Sequence, residues 1–375
     1  MTRPSICFVG LDNLPVIAPE YGQLSVGGAE LQQTLLATRL ARRGYRVSMV
    51  VADYGQRDRA TWRGVETFKA YGPSAGIPIL RFIHPRWTRL WAAMKRADAD
   101  IYYVSCAGAL VGQVAAFVRL HGRKMIFRVA SDGDCDPAKM RNVRFWRDRK
   151  LYAYGLRRAD TRLAQTARQQ AALRLHFNVD SDTAPSLVEP GNGQRAFADR
   201  AIDVLWAGVV YDVKRPEICL DLARRLPDLS FCMLGGPAAS ARPLFDRMKA
   251  QANSLSNIRM PGHVPYHGVG EFFETARIFI NTSELEGFPN TYLQAWGCGV
   301  PVVAFFDPDG MIAKEKLGQV VRTVEEMADA VRGLRTDAAA WCAVSARCKA
   351  FMASRYSEDA SLEPFLRAIG RLSRN

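Results

Sequence analysis

The sequence predicts an α/β protein built from two doubly wound, Rossmann-like domains that face each other across a cleft. Short apolar runs alternate with amphipathic segments along the 375 residues, which is the pattern of parallel sheets covered by helices. The length exceeds that of a typical single domain. A stretch containing Pro and Gly near residues 188–193 separates two successive sets of strands and helices. We therefore expect domains at residues 1–187 and 201–357, joined by a linker at 188–200.

The strands of the first domain are short apolar runs, expected at residues 6–10, 47–52, 100–104, 124–129 and 161–164. Between them we expect helices at residues 25–43, 85–96, 108–120, 141–158 and 166–177. In the first of these helices, Leu31, Leu35 and Leu40 recur on one face, and Gly44 ends it. Residues 55–80 carry no clear period and are expected to be irregular.

The second domain repeats this alternation, with strands expected at residues 203–207, 230–234, 257–260, 278–280 and 300–305. A helix is expected to start at Pro216, where proline is tolerated. Further helices are expected at residues 290–297, 321–334, 338–354 and 360–372.

The most informative stretch covers residues 286–305, which predict a polar loop, a short helix and a strand that follow the apolar run 278–280. We expect Asn290 to cap the helix and Gly297 to end it in the left-handed conformation. The loop and the helix N-terminus then lie at the carboxyl edge of a parallel sheet, where such sheets bind ligands. The backbone N–H groups of Asn290, Thr291 and Tyr292 have no intrahelical acceptor, and the helix dipole favours an anion there. This pattern predicts a phosphate site.

Two side chains flank that phosphate position. Glu286 precedes the helix and can accept hydrogen bonds from sugar hydroxyls, and Gln294 lies one turn inside it on the same face. A phosphate site between two side chains that can hydrogen-bond hydroxyl groups is the arrangement expected of a nucleotide-sugar pocket. The whole stretch resembles the donor motif of family-4 retaining glycosyltransferases of the GT-B fold. That family has a second Glu where this chain has Gln294, and the amide lacks the charge-assisted part of a ribose hydrogen bond.

The resemblance implies the rest of the site. Donor contacts are expected from Gly27 and Gly28, from the Gly235 turn, and from the run Gly287, Phe288, Pro289, Asn290 and Thr291. Lys214 matches the family's diphosphate-binding lysine, but Val209 stands where the family has an arginine. The family's histidine near the donor sugar is also absent, and Ser131 or Asp132 takes its place. The helix at residues 358–375 is expected to return to the first domain.

The predicted function is the transfer of a sugar from a nucleoside diphosphate sugar to a hydroxyl acceptor with retention of configuration, with Glu286, Asp132 and Lys214 as the catalytic groups. The resemblance requires no protein nucleophile, no cofactor and no metal. Two alternatives stay open: a sugar-nucleotide epimerase or hydrolase on the same fold, and a non-catalytic nucleotide-sugar-binding protein. The second alternative follows from the three departures from the family pattern.

The acidic run Asp132, Asp134 and Asp136 invites a metal interpretation. An EF-hand loop starting at Asp132 would need Gly and Glu where Pro137 and Val143 stand. We expect Asp132 to meet hydroxyls of the donor or acceptor at a strand end. For Asp134 and Asp136, a capped turn is an equally good explanation.

Charge and aromatic residues indicate a surface partner. The net charge is +14, and most of the excess lies in residues 80–96 and 138–162, which also carry Trp, Phe and Tyr. Such a mixture suits an anionic membrane surface, while a solvated helix face is the plainer explanation and nucleic acid the least favoured. We therefore expect a lipid-linked or cell-surface glycan as acceptor. The N-terminus runs straight into a strand and the eight cysteines lack paired spacing, so we expect a cytoplasmic protein, peripheral on the inner face of the membrane.

Overall fold

The computed structural model describes residues 3–21, 27–78, 80–140, 143–189, 191, 195–238 and 240–374. Parts of the predicted linker (190 and 192–194) and the predicted start of the helix at 141 lie outside these ranges. The described residues form two compact units: 188–360 make the second unit, and the residues before 188 together with those from 361 make the first. All eight cysteines are described and are free thiols.

The first unit consists of short strands separated by helices in the order β1 (Ile6–Val9), α1 (Leu14–Ile17), α2 (Gly28–Arg42), β2 (Val47–Val51), β3 (Thr61–Trp62), β4 (Val65–Lys69), α3 (Thr88–Ala97), β5 (Ile101–Ser105), α4 (Ala109–Leu120), β6 (Lys124–Arg128), α5 (Trp146–Arg158), β7 (Thr161–Ala164), α6 (Ala167–Phe177) and β8 (Asp182–Thr183). Its sheet has the order β3-β4-β2-β1-β5-β6-β7-β8. All pairs are parallel except β3 with β4.

The expectation that residues 55–80 are irregular is wrong. β4 lies in this stretch and pairs in parallel with β2, from Val65 opposite Val47 to Lys69 opposite Val51. Val65 and Phe68 are buried in the core. Polar residues interrupt this run, so its strand conformation depends on the neighbouring strand more than on local propensity. A second difference is α1, a short helix between β1 and α2 where no helix was expected.

The second unit contains β9 (Ile202–Ala207), α7 (Glu217–Arg225), β10 (Phe231–Leu234), α8 (Arg242–Asn253), β11 (Ile258–Gly262), α9 (Tyr266–Thr275), β12 (Ala276–Asn281), α10 (Asn290–Gly297), β13 (Val302–Ala304), α11 (Met311–Glu315), β14 (Gly318–Val320), α12 (Val324–Thr336) and α13 (Ala338–Arg355). The last helix, α14 (Glu358–Leu372), belongs to the first unit from Ser361 onward. The second sheet has the order β11-β10-β9-β12-β13-β14, with parallel pairing throughout.

Two sheets of mainly parallel strands, covered by helices, confirm the predicted fold class. Strand faces and helices enclose buried apolar clusters on both sides of the second sheet, as expected for doubly wound domains. Among the described residues, no helix has the length and apolar character needed to cross a bilayer.

Candidate active site

The loops that follow β9 and β12 meet at the carboxyl edge of the second sheet. Lys214 ends a short 3₁₀ turn, Asp212–Lys214, after β9, and Glu286 lies in the loop between β12 and α10. The Nζ atom of Lys214 forms an ion pair with Oε1 of Glu286, although the two residues are 72 positions apart. The two side chains are only 19% and 12% exposed. The structure therefore brings two of the three predicted catalytic residues together.

Glu286 is held by further donors from its own loop. Ser283 Oγ donates to Glu286 Oε1 at 2.6 Å, and Asn281 Nδ2 lies 3.5 Å from the same oxygen. The Lys214 loop is anchored in turn, because Thr282 Oγ1 donates to the Lys214 carbonyl at 2.6 Å and Trp206 Nε1 donates to Thr282 Oγ1 at 2.9 Å. Such supporting hydrogen bonds keep a charged pair in one orientation before a ligand arrives.

The start of α10 differs in detail from the prediction. Pro289 is the N-cap residue, and Asn290 is the first residue of the helix. Of the three backbone N–H groups expected to face a phosphate, that of Tyr292 donates to the Pro289 carbonyl at 3.0 Å. Tyr292 is also buried, and its hydroxyl donates to the Phe306 carbonyl at 2.7 Å. The phosphate prediction thus rests on the amides of the loop and of the first two helical residues.

The end of α10 also lies elsewhere. Gly297 is the last helical residue and Cys298 the C-cap. Gly299, with φ of +66°, adopts the left-handed conformation that was expected two residues earlier. Within the helix, Gln294 is half-buried on its second turn, while Phe288 packs near Trp296 and Tyr356 in the core.

Gly235 lies where β10 ends beside the loop that follows β9. Its N–H donates to the Gly262 carbonyl at 2.9 Å, and its φ is +143°. A Cβ atom at this position would lie 1.7 Å from the Gly208 carbonyl oxygen. The close approach of two chain segments explains the glycine here. The contact of Gly235 with the donor stays a prediction.

Arg215 is a candidate that the sequence interpretation did not include. It follows Lys214 directly and adopts a left-handed conformation with φ of +46°. Its guanidinium carbon lies 4.7 Å from the centroid of the Phe305 ring, at the end of β13. The contact keeps a second positive charge at the edge that carries Lys214. Adjacency to Lys214 was the signal available in the sequence.

In the first unit, Asp132 is buried in a 3₁₀ turn after β6. Gln169 Nε2 donates to Asp132 Oδ1 at 3.1 Å, and Arg168 Nε lies 3.5 Å from Asp132 Oδ2. Both partners come from the first turn of α6. The structure therefore places Asp132 in a local polar network of its own unit.

The neighbouring aspartates act as caps. Asp134 accepts hydrogen bonds from the backbone N–H groups of Ala130 and Ser131 at 2.8 and 3.2 Å, and burial raises the pKa of its carboxyl group despite them. Asp136 accepts one from the Ala138 N–H at 2.9 Å. This is the capped-turn explanation given for these two residues. Within the described ranges, no group of three or more His, Cys, Asp or Glu residues is placed to hold a metal ion.

Gly27 and Gly28 open α2 in the first unit, with Gly27 as the N-cap. The Glu30 carboxylate folds back on this turn and accepts a hydrogen bond from the Gly27 N–H, while burial raises the pKa of Glu30. A Cβ on Gly27 would lie 2.6 Å from Glu30 Oε2. An acidic side chain thus already occupies part of the turn that was predicted to approach an anion.

Comparison with known proteins supports the resemblance in both halves of the chain. Residues 201–337 match the family model described as glycosyl transferases group 1. Residues 27–184 match the model described as glycosyl transferase 4-like domain. The two matches cover most of the chain and follow the division into two units. Together with the fold, they place the chain among the GT-B glycosyltransferases.

Individual relatives share less than a third of the aligned residues with this chain. The D-inositol 3-phosphate glycosyltransferase of Mycobacterium sp. (strain KMS) is 29% identical over 138 residues, which are 35% of this chain and 30% of that enzyme. The alignment thus spans about 30% of the relative's length.

Two solved structures have the same fold over nearly the full length. The sucrose-phosphate synthase of Thermosynechococcus elongatus has a TM-score of 0.77 at 16% identity and covers 99% of this chain and 98% of that one. Alr3699/HepE of Anabaena in complex with UDP-glucose has a TM-score of 0.71 at 14% identity and covers 98% and 100%.

Proposed function

We propose that the protein transfers a glycosyl group from a nucleoside diphosphate sugar to a hydroxyl acceptor with retention of configuration. The observation that carries the proposal is the Lys214–Glu286 ion pair directly before the N-terminus of α10. It combines a cation for a diphosphate, an acceptor for sugar hydroxyls and the N-terminus of a helix at one strand edge, where α/β sheets bind ligands.

Each group has a distinct role in this proposal. Lys214 stabilises the negative charge that develops on the departing diphosphate, together with the amides that open α10. When the donor binds, Glu286 exchanges its ion pair with Lys214 for hydrogen bonds from hydroxyl groups of the donor sugar. Ser283 Oγ continues to donate to Glu286 Oε1 and holds the carboxylate in place. Lysine and amides supply the positive charge, so the proposal includes no metal, no cofactor and no protein nucleophile.

Arg215 compensates in part for Val209, the position at which the resembled family has an arginine. Its contact with Phe305 keeps the guanidinium at the strand edge that carries Lys214. Alr3699/HepE was solved with UDP-glucose, which makes uridine diphosphate sugars the first donors to examine.

The acceptor is proposed to be a lipid-linked or cell-surface glycan. This proposal draws on the basic and aromatic stretches of the first domain, where the acceptor side is expected. The mycobacterial relative is named for D-inositol 3-phosphate, and this small anionic acceptor is the alternative to test beside glycans.

The test is hydrolysis and transfer measured with a panel of nucleotide sugars, followed by the variant Glu286→Ala. We expect the variant to lower turnover by about 100-fold or more, as for loss of a group that contacts the reacting centre. Glu284→Ala is the matched control, because Glu284 lies in the same loop and is exposed. Its turnover should equal that of the wild type.

The panel also separates the alternatives. Donor binding detected by thermal stabilisation, with no turnover by wild type in the presence of any acceptor, would favour a non-catalytic binding protein. A donor converted to another nucleotide sugar without acceptor would indicate an epimerase. Equal turnover by wild type and Glu286→Ala would contradict the proposed role of Glu286.

A further inference from the structure

The first unit exposes a cluster of large apolar side chains. Ile77, Leu80, Ile83, Phe145 and Trp146 are each 60–75% exposed to solvent. They come from two segments that are distant in sequence, residues 77–83 and 143–151. We call these five side chains the apolar patch. Single exposed apolar residues are common on soluble proteins, whereas several grouped together mark an interaction surface.

Arg147 joins the two segments in space. Its guanidinium carbon lies 3.6 Å from the centroid of the Phe82 ring and 5.9 Å from that of Phe145. Phe82 in turn contacts Trp87 edge to face, at 5.7 Å between centroids. Phe82 of the first segment and Phe145 of the second therefore both lie beside Arg147.

The surroundings of the patch are basic. Among their described residues, the two segments carry five cations, Arg81, Arg144, Arg147, Arg149 and Lys150, and one acid, Asp148. The five cations are exposed, and Asp148 pairs with Arg147 at 2.9 Å. An excess of positive charge around exposed aromatic and aliphatic side chains complements a surface that is negatively charged outside and apolar below.

We propose that the apolar patch docks on an anionic lipid bilayer. Trp and Phe side chains are suited to the boundary between headgroups and acyl chains. Arg and Lys attract anionic headgroups over about a Debye length of ~10 Å at moderate ionic strength. Neither feature alone binds stably, and the combination supplies the two contributions that interfacial binding needs. The proposal is independent of Lys214 and Glu286, which lie in the other unit.

The test is co-sedimentation with vesicles of phosphatidylcholine alone and of phosphatidylcholine with phosphatidylglycerol. We expect the full-length protein to bind the mixed vesicles at low salt, and to bind them about tenfold more weakly at high salt. The double variant Phe145→Ser/Trp146→Ser should lose about tenfold or more in affinity, because it removes the aromatic part of the patch.

Leu175→Ser is the matched control. Leu175 is 78% exposed on α6 and belongs to neither segment, so its replacement should leave vesicle binding unchanged. Circular dichroism of each variant verifies that it is folded. Absence of wild-type binding to the mixed vesicles at low salt overturns the proposal, as does equal binding by the double variant. A concentration-dependent dimer that the double variant abolishes, without vesicle binding, would assign the patch to a second copy of the chain instead.

Discussion

The strands β9 and β12 lie side by side, and each end of the pair carries a cluster of ionised groups of opposite sign. At the amino end, Asp203 on β9 pairs with Arg277 on β12 at 2.9 Å and with Arg335 of α12 at 2.5 Å. At the carboxyl end, Lys214 pairs with Glu286. The two clusters share the same strands and differ in what holds them.

The amino-end cluster is closed. Asp203 also accepts hydrogen bonds from the N–H and Oγ of Ser230, each at 2.9 Å. Arg277 donates further to the carbonyls of Phe197 and Ala198, at 3.0 and 3.2 Å. Burial raises the pKa of Asp203, but the hydrogen bonds from Ser230 and Arg335 outweigh it and hold the pKa below its usual value. In this network, Asp203 and Arg277 bind each other and neighbouring groups of the protein, so we expect it to stabilise the fold rather than bind a ligand.

The carboxyl-end cluster is also largely buried, with side chains 19% and 12% exposed. Both of its charges lie on loops, where side chains can exchange one partner for another. The comparison indicates that the position of an ion pair relative to the strands separates a structural role from a functional one. Four changes test this distinction.

Asp203→Asn should have the largest effect, and it should act on stability. Removing this charge leaves Arg277 buried without its carboxylate, which costs about 3–5 kcal/mol in the free energy of unfolding. Urea denaturation measures the loss. Asp221→Asn is the control, because its i,i+4 pair with Arg225 is exposed, and it should change stability by no more than about 0.5 kcal/mol. A similarly small change in stability for Asp203→Asn would contradict the structural role of the amino-end cluster.

Lys214→Met should act on turnover instead. The thioether preserves much of the side-chain volume but not the charge, so we expect kcat to fall by about 10²–10³-fold, as when an electrostatic donor is removed from an active site. The free energy of unfolding should change less than for Asp203→Asn, because Ser283 and Asn281 still donate to Glu286 when the cation is lost. Lys249→Met, at an exposed position of α8, serves as the control. Loss of stability without loss of turnover would reverse the assignment of the two ends.

Acid should weaken the amino-end cluster. The pKa of Asp203 is lower in the folded protein than in the unfolded chain, where it is about 3.9. Its contribution is therefore complete above the unfolded pKa and is lost as the pH falls through the folded value. The stability difference between wild type and Asp203→Asn should stay constant near neutral pH and begin to shrink once the pH falls below the unfolded pKa of about 3.9. A difference that grows in acid would contradict the sign of the shift.

Gln294→Glu should have the smallest effect and should strengthen donor binding. A carboxylate accepts a charge-assisted hydrogen bond from a ribose hydroxyl, for a gain of about 0.5–1.5 kcal/mol in the free energy of binding. Titration calorimetry with the nucleotide sugar found by the panel measures it. Gln319→Glu, exposed on β14, adds the same charge elsewhere and should leave affinity unchanged. Weaker donor binding by Gln294→Glu would place the ribose away from this residue.

Local patterns were sufficient for the strand, loop and helix around residues 286–305. β12 contains the apolar run 278–280, β13 is apolar throughout, and α10 follows a Pro-Asn start, so each element is specified by its own residues. The strand β4 was missed because its residues become a strand only against β2. The prediction that the Tyr292 N–H has no intrahelical acceptor is wrong, because this N–H donates to the Pro289 carbonyl. That hydrogen bond depends on the geometry of the first helical turn, which the sequence does not specify.

The sequence by itself determined the class of fold and the division into two sets of strands and helices. It also contains the motif that indicates a nucleotide-sugar site. These features rest on periodicity and on short-range chemistry, which neighbouring residues carry. Only the tertiary structure decided that Lys214 meets Glu286, that Arg215 stacks on Phe305, and that Arg147 contacts Phe82. Each of these contacts joins segments far apart in the chain, and sheet register and loop packing determine which distant residues meet.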